Sequence, residues 1–319
     1  MSRFLAALLL VGTAASAQQK WSLDCQSYAE KTPLLALSKY PVALAKVPLD
    51  KRSQGYVRVG GGCEVSRLGY DNAVHAEVMV QNAPEGEDGW RCKGADPALL
   101  PNSGSAQATV NFCRASYDGA PSLRLECTTL TEKTLPASNP SATVKLTAPL
   151  RKEGYVVVSG ACETSHFDNG SLHAEHIVKS TLTSDRQGWL CQAANPTVDP
   201  IMSATVAATL VACRLTMDEV DAERFTEKPA LKCTRTQGAM AQGNSPKSHA
   251  EGPGKLTGGE CTVSYPGAGS NATEFMVKNA PQDGQWSCLG ADPPFVPNPS
   301  SAQASAITCT ITAGKKKPS

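Results

Sequence analysis

The sequence predicts an all-β protein made of three tandem antiparallel β-sandwich-like modules, each stapled by disulfides. Three observations lead to this prediction. One pattern of cysteine, tryptophan and glycine occurs three times along the 319 residues. Within each copy, apolar and polar residues alternate with a period of two. Gly- and Pro-rich turns separate the short apolar runs, as is typical of sandwiches and barrels.

The threefold pattern is clearest around the tryptophans. Each copy has a Trp two residues before a Cys, and each has a Gly two residues before an earlier Cys. The matched stretches are Gly89-Trp90-Arg91-Cys92, Gly188-Trp189-Leu190-Cys191 and Gln285-Trp286-Ser287-Cys288, preceded by Gly61-Gly62-Cys63, Gly160-Ala161-Cys162 and Gly259-Glu260-Cys261. Repetition of so many positions in one order predicts one structural unit used three times.

All twelve cysteines fit this frame. They form three sets of four, each opened by a Leu-x-Cys stretch: Cys25, Cys63, Cys92, Cys113; Cys127, Cys162, Cys191, Cys213; and Cys233, Cys261, Cys288, Cys309. The modules then cover residues 20–117, 122–218 and 228–312, an ordinary domain size. We call these ranges the first, second and third segments.

The disulfide pairing has two candidate frames. If the modules are separate beads, the first Cys of each set pairs with the fourth and the second with the third. The competing frame treats residues 113–127 as a hairpin turning at Asp118-Gly119. In that frame Cys25 bonds Cys309 and the chain closes into a ring. Separate modules require less coordinated geometry, so we expect the first frame.

The strands and connections follow from local patterns. Tyr56 to Val59 and Tyr155 to Val158 are expected strands, and Ala106, Ala108, Val110 and Phe112 alternate with polar residues. Met217 to Phe225 is the best helix candidate, lying between the second and third segments. Residues 237–255 are rich in Gly, Ser, Gln and Pro and are expected to form a loose loop.

The two ends have distinct compositions. Residues 1–17 show the charged, apolar and small-residue order of a secretory signal peptide, with cleavage expected after Ala17. Residues 313–319 form a basic tail, which we expect to be solvated and frayed. No later run approaches the roughly 20 apolar residues of a membrane-spanning helix, so no membrane anchor is expected.

Composition limits the functional classes. Twelve cysteines in an exported chain indicate an oxidising compartment, extracellular or periplasmic. The formal net charge of +1 gives no electrostatic argument for nucleic acid as a partner. No Cys-x-x-Cys, Gly-x-Ser-x-Gly or His-Glu-x-x-His motif is present. We therefore expect no cofactor and no catalytic residue.

The tryptophans are candidates for either the core or a ligand site. In a strand, residues two apart point to the same face, so Trp90, Trp189 and Trp286 are expected to pack beside a disulfide. The alternative is one exposed aromatic platform per module, which would suit a sugar ring.

Glu77, Glu175 and Glu274 occupy matched positions before the tryptophans. His75 and His173 lie two residues before the first two of them, but Ala272 replaces the His in the third segment. Two ligands fall short of the three or four that zinc normally has. We expect a partly solvated polar stripe and no metal site.

These features together predict a secreted, non-enzymatic protein for binding, adhesion or structure, with an extracellular glycan or protein as ligand. One alternative is a secreted inhibitor that blocks an enzyme through exposed loops such as Glu85 to Gly89. A second alternative is a secreted hydrolase with a site in one module. A triplicated scaffold more often serves surface area and avidity, which favours binding.

Overall fold

In the computed structural model of the chain, the described residues are 21–33, 41–65, 78–95, 104–137, 139–165, 176–194, 204–264, 275–291 and 300–317. They form a fold that is almost entirely antiparallel β-structure. The first segment contains β1 (Trp21–Lys31), β2 (Val42–Lys46), α1 (Leu49–Ser53), β3 (Val57–Val65), β4 (Val78–Glu85), β5 (Gly89–Ala95) and β6 (Ala106–Tyr117). The all-β prediction is therefore confirmed.

The other two segments repeat this element order with few changes. The second contains β7 (Arg124–Lys133), β8 (Ser141–Lys145), α2 (Ala148–Lys152), β9 (Val156–Thr164), β10 (His176–Leu182), β11 (Gly188–Ala194) and β12 (Val206–Thr216), and α3 (Glu219–Ala222) and β13 (Phe225–Glu227) follow it. The third contains β14 (Ala230–Gln237), β15 (Ala241–Gly243), β16 (Lys247–Ala250), β17 (Lys255–Val263), β18 (Phe275–Gln282), β19 (Gln285–Ala291) and β20 (Ser300–Thr312), and the last strand is β21 (Lys315–Lys316).

Each segment contributes two three-stranded half-sheets that pack against each other. In the first segment these are β1-β6-β3 and β2-β5-β4. The Cys63–Cys92 disulfide joins β3 of one half to β5 of the other. A second disulfide, Cys25–Cys113, joins two residues directly opposite each other on β1 and β6. One bridge thus ties two layers together and the other ties two neighbouring strands.

The disulfide pairing predicted for separate modules is confirmed in all three segments. The bonds are Cys25–Cys113, Cys63–Cys92, Cys127–Cys213, Cys162–Cys191, Cys233–Cys309 and Cys261–Cys288. No free cysteine remains among the described residues. The hairpin of the competing frame does not form, because β7 pairs with β12 and β6 pairs with β1 and β3.

The three segments are nevertheless not separate modules, because they share β-sheets. Each large sheet takes one half-sheet from one segment and one from another: β1-β6-β3-β18-β19-β16, β2-β5-β4-β9-β12-β7 and β14-β20-β17-β10-β11-β8. The junctions are the antiparallel pairs β3–β18, β4–β9 and β10–β17. Three segments joined at three junctions form a closed ring, held by hydrogen bonds and not by a Cys25–Cys309 bond.

The strands at the ring centre come very close together. A Cβ at Gly60 would lie 2.4 Å from the Thr257 carbonyl oxygen and 2.6 Å from Ser159 Oγ. Thr257 Oγ1 in turn donates to the Val158 carbonyl, at 3.0 Å. Only small residues fit where one strand from each segment meets the others. The strand β17 of the third segment also covers part of β6. Asn111 of β6, expected on a polar face, is therefore buried and donates to the Thr257 carbonyl at 3.2 Å.

Three local expectations need correction, one of them only in its length. The helix predicted for Met217 to Phe225 is reduced to the four residues of α3, and Phe225 begins a strand. The expected loose loop at 237–255 contains the strands β15 and β16, which pair with β20 and β19. The basic tail is not frayed over its described part, because β21 pairs with β13 and Lys315 forms an ion pair with Glu227 at 2.8 Å.

No helix among the described residues is long and apolar enough to cross a membrane.

Candidate binding clefts between the segments

The three tryptophans of the repeated pattern, Trp90, Trp189 and Trp286, lie in the protein interior, each at most 1% exposed. Each indole N–H donates to a polar side chain on the neighbouring strand, and the acceptors are Asn82 Oδ1 for Trp90 at 2.6 Å, Ser180 Oγ for Trp189 at 3.1 Å and Asn279 Oδ1 for Trp286 at 2.7 Å. A buried indole with a satisfied N–H is a core residue. None of the three rings presents a face at the surface for a sugar.

The matched glutamates Glu77, Glu175 and Glu274 lie outside the described residues, as do His75 and His173. Their role as a polar stripe stays a prediction. In the part of the chain that the structure describes, no group of three or more His, Cys, Asp or Glu side chains is placed to hold a metal ion.

Two clefts open where one segment meets the next. The first, of about 530 Å³, lies between the first and second segments. Its walls are the stretch from Val47 to Arg58, the turn at residues 86–88, and residues 125–129 of β7. The second, of about 410 Å³, has the equivalent walls between the second and third segments: Leu146 to Val157, the turn at residues 185–187, and residues 231–235 of β14. The two clefts are therefore copies of one architectural feature.

A tyrosine, an arginine and a carboxylate form a row beside each cleft. In the first segment the Tyr56 hydroxyl donates to Asp24, and the Arg114 guanidinium lies 5.1 Å from the Tyr56 ring centre. In the second segment the Tyr155 hydroxyl donates to Glu126 at 2.8 Å, and the Arg214 guanidinium lies 4.7 Å from the Tyr155 ring. The Tyr155 hydrogen bond and Arg214 lower the pKa of Glu126. In both segments the tyrosine thus bonds a carboxylate and packs beside an arginine.

The first cleft has a rim rich in carboxylates. Two arginines and three carboxylates line it: Arg52, Arg58, Glu87, Asp88 and Glu126. Arg52 forms an ion pair with Asp88 at 2.9 Å. Arg58 is buried and donates to the carbonyl oxygens of Gly86 and Gly89, so it holds the turn in place. Burial lowers the pKa of this guanidinium.

The second cleft has the opposite balance. Three arginines, one lysine and one carboxylate line it: Arg151, Arg186, Arg235, Lys232 and Asp185. Hydrogen bonds from the Thr183 hydroxyl and the Gln187 backbone N–H, together with Lys145, lower the pKa of Asp185 to about 2. By sequence position Arg186 replaces Glu87, Gln187 replaces Asp88, and Lys232 replaces Glu126.

The junction between the third and first segments lacks the tyrosine and the short helix found in the walls of the two clefts. Gly254 and Lys255 stand where the other segments have Tyr and Val before the first glycine of the pattern. Residues 251–254 form no helix, whereas α1 and α2 precede β3 and β9. Among the described residues, the tyrosine and the helix of the cleft wall are thus present at two of the three junctions.

Sequence reasoning did not identify the cleft residues. A signal was present, because Gly55-Tyr56 matches Gly154-Tyr155 and Cys113-Arg114 matches Cys213-Arg214. Both matches are absent from the third segment. A residue needed for the shared core should occur in all three segments. Matches found in only two of them therefore indicate a feature that is specific to those two segments.

Comparison with protein-family models finds no match, and comparison with curated proteins finds none either.

Proposed function

We propose that this chain is a secreted, non-enzymatic binding protein whose ligand sites are the two clefts between its segments. Six disulfides suit an oxidising compartment outside the cytoplasm, since paired cysteines persist there. Concave sites at the junction of structural units are where ligands bind most often.

One observation carries the proposal. The two clefts keep the same supporting row, Tyr56 with Arg114 and Tyr155 with Arg214, while their rim charges differ in sign. A feature needed only for packing has no reason to exchange carboxylates for cations at matched exposed positions. Two sites on one scaffold with different rims suit two ligands, or two parts of one ligand.

A second candidate, a secreted inhibitor, is favoured by the turn at residues 86–88. Arg58 fixes two carbonyl oxygens of this turn, at 2.8 Å for Gly86 and 3.0 Å for Gly89, and Glu87 at its tip is exposed. A rigid exposed turn loses little conformational entropy when a partner binds it, which is the property of an inhibitory loop.

The experiment compares ligand binding by the wild type and by variants with filled clefts. A glycan array and a protease-inhibition panel supply candidate ligands. Val57→Trp and Val156→Trp add bulk to equivalent cleft walls, and Thr143→Trp adds the same ring on the exposed face of β8 as a control. We expect the two valine variants to lose binding or inhibition that the control retains. Ligands that bind all three variants as they bind wild type would refute the cleft sites.

A further inference from the structure

The second cleft combines an apolar floor with a cationic rim. Its aliphatic lining residues are Leu146, Val156, Val157, Leu182, Leu231 and Ile307. The first cleft has only Val47, Val57 and Leu125 as aliphatic lining residues, and Arg58 stands where the second has Val157. The lining of the second cleft is therefore apolar in a larger proportion than that of the first, which favours a ligand with an apolar body.

Three cations of the second cleft have no carboxylate partner in the described chain. Arg235 does have one: it forms a bidentate ion pair with buried Glu260, at 2.7 and 2.6 Å. Asp185 is within 3.4 Å of Lys145, which lies outside the cleft lining. Among the described residues, Arg151 bonds only the amide oxygen of Gln187, and Arg186 and Lys232 make no ion pair. Their positive charge is available to a ligand.

The backbone at Arg186 has the conformation of a tight hairpin turn, with the residue at the cleft rim. Its φ is 57°, in the left-handed region that residues with a Cβ rarely adopt. The turn therefore holds a cation at the rim in a conformation that glycine would adopt more easily. Asp283, at the equivalent position of the third segment, has a φ of 50°, so the positive φ belongs to the hairpin turn, and the unpaired cations and the apolar floor carry the case for a ligand.

We infer that the second cleft is a binding site for an amphipathic organic anion, with the apolar body on the aliphatic floor and the acidic group at Arg151, Arg186 and Lys232. Charge-assisted hydrogen bonds from arginine and lysine to a carboxylate or sulfonate are the strong ones, and a low-dielectric floor strengthens them. The inference rests on the proposed function and gives one of its two sites a ligand class. The first cleft, with Glu87 and Glu126 at the matched positions, is not a site for this class.

The test uses two fluorescent probes with related apolar bodies. 8-Anilinonaphthalene-1-sulfonate carries the anionic group, and N-phenyl-1-naphthylamine lacks it. For Lys232→Glu and for Arg186→Gly we expect the full-length protein to lose about tenfold in sulfonate affinity. Affinity for the uncharged probe should stay nearly unchanged. Lys228→Glu, the same charge change at an exposed residue outside the cleft, should bind both probes as wild type does.

The Arg186→Gly variant separates a loss of anion binding from a loss of folding. Because glycine suits the φ at this position, the unfolding midpoint should not fall while anion affinity does. Displacement of the sulfonate probe by dodecanoate or by 1-naphthoate then identifies a chain or a ring as the preferred apolar body, and displacement by either supports the inference.

Four results would overturn the inference: no sulfonate binding by wild type, equal affinities in wild type and both cleft variants, an equal loss in the Lys228 control, or displacement by neither acid. Each of these leaves the valine-to-tryptophan test of the proposed function unaffected, since that test uses glycan and protein ligands and both clefts.

Discussion

The indole ring of Trp189 lies directly against the backbone of Gly160. A Cβ atom at position 160 would come within 1.9 Å of Trp189 Cδ2 and 2.4 Å of Cε2. In the same way, a Cβ at Gly61 would lie 2.3 Å from Trp90 Cδ2, and a Cβ at Gly259 would lie 2.3 Å from Trp286 Cδ2. The glycine of the threefold pattern is therefore required by the neighbouring ring, since none of the three has a positive φ.

We expect Gly160→Ala to lower the free energy of unfolding by about 3 kcal/mol, because the methyl group overlaps a buried ring that cannot move. Gly154→Ala is the matched control. Gly154 has a φ of 87° with no atom within 4 Å of a Cβ, so alanine costs only the backbone strain, about 1 kcal/mol. Denaturant unfolding of both variants measures the difference, and equal losses would show that the ring contact is not the constraint.

The disulfide frame and the tryptophan core could be predicted because both are local. Cys and Trp two apart share a strand face, and the Leu-x-Cys stretch marks where each set opens. The joining of half-sheets across segments could not be predicted this way. Alternation tells which face of a strand is buried but not which strand pairs with it, so β4 pairing with β9 satisfies the pattern as well as any partner within its own segment.

The clefts themselves could not be predicted for the same reason, although the Gly-Tyr and Cys-Arg matches between two segments were visible in the sequence. Their two walls belong to different segments, and these walls meet only because the ring closes.

The C-terminal tail was mispredicted for another reason. Three consecutive lysines predict solvent-exposed side chains, and these side chains are exposed, yet the backbone of the tail pairs with β13. Charge predicts where side chains lie and says nothing about backbone hydrogen bonds.

His176 gives the molecule a specific dependence on pH. Its ring is 1% exposed, packs edge-on against Phe275 at 4.8 Å, and has no hydrogen-bond partner for either nitrogen within the described residues. Burial lowers the pKa of His176 to about 3, so the ring is neutral in the fold and protonated in the unfolded chain below pH 6.5. The unfolded state then binds more protons, and stability falls as pH falls from about 6.5 toward 3.

The variant His176→Phe should remove this pH dependence of stability, because phenylalanine does not titrate. The fold should accept the ring, since position 275, the equivalent position in the third segment, already carries Phe. A single such group contributes about 1.4 kcal/mol per pH unit, so wild type should lose about 2 kcal/mol more than the variant between pH 6.5 and 5. Denaturant unfolding at both pH values measures this. Parallel losses in the two proteins would mean that His176 is accessible to protons in the folded state.

The C-terminal strand β21 should contribute measurable stability. Phe225 of its partner β13 packs 5.6 Å from the Trp21 ring, which stacks on Tyr117 at 3.7 Å, and Lys316 lies over Tyr117. We expect a chain ending at Gly314 to lose about 1 kcal/mol and to exchange the amide hydrogens of residues 224–227 faster. Hydrogen exchange by mass spectrometry measures this.

The Lys315→Ala variant is the control for that truncation. It removes an exposed ion pair, worth little in water, but keeps the backbone pairing of β21 with β13. Exchange at residues 224–227 should therefore stay slow in this variant. Fast exchange in Lys315→Ala as well would assign the effect to the charge and not to the strand.

Removing one partner of the buried ion pair between Arg235 and Glu260 should lower the free energy of unfolding more than removing one partner of an exposed pair at the same distance. Glu260 stands where the other segments have Gly62 and Ala161, its side chain is 2% exposed, and it accepts from Arg235 and from the Thr181 hydroxyl at 2.7 Å. Arg235→Gln leaves this carboxylate buried without a cation. We expect a loss of about 3 to 5 kcal/mol, which is the penalty of an uncompensated buried charge.

A double-mutant cycle separates that penalty from the contact itself. Arg235→Gln with Glu260→Gln should be less destabilised than Arg235→Gln alone, because the neutral amide no longer needs a counter-ion. Arg91 with Glu85, also 2.6 Å apart but more than a third exposed on each side chain, is the matched surface pair, and Arg91→Gln should cost at most about 1 kcal/mol. Urea unfolding of wild type, Arg235→Gln, Glu260→Gln, their double variant and Arg91→Gln decides the matter. If Arg235→Gln costs no more than Arg91→Gln, water reaches Glu260 in solution and the junction between the second and third segments is looser than its hydrogen bonds indicate.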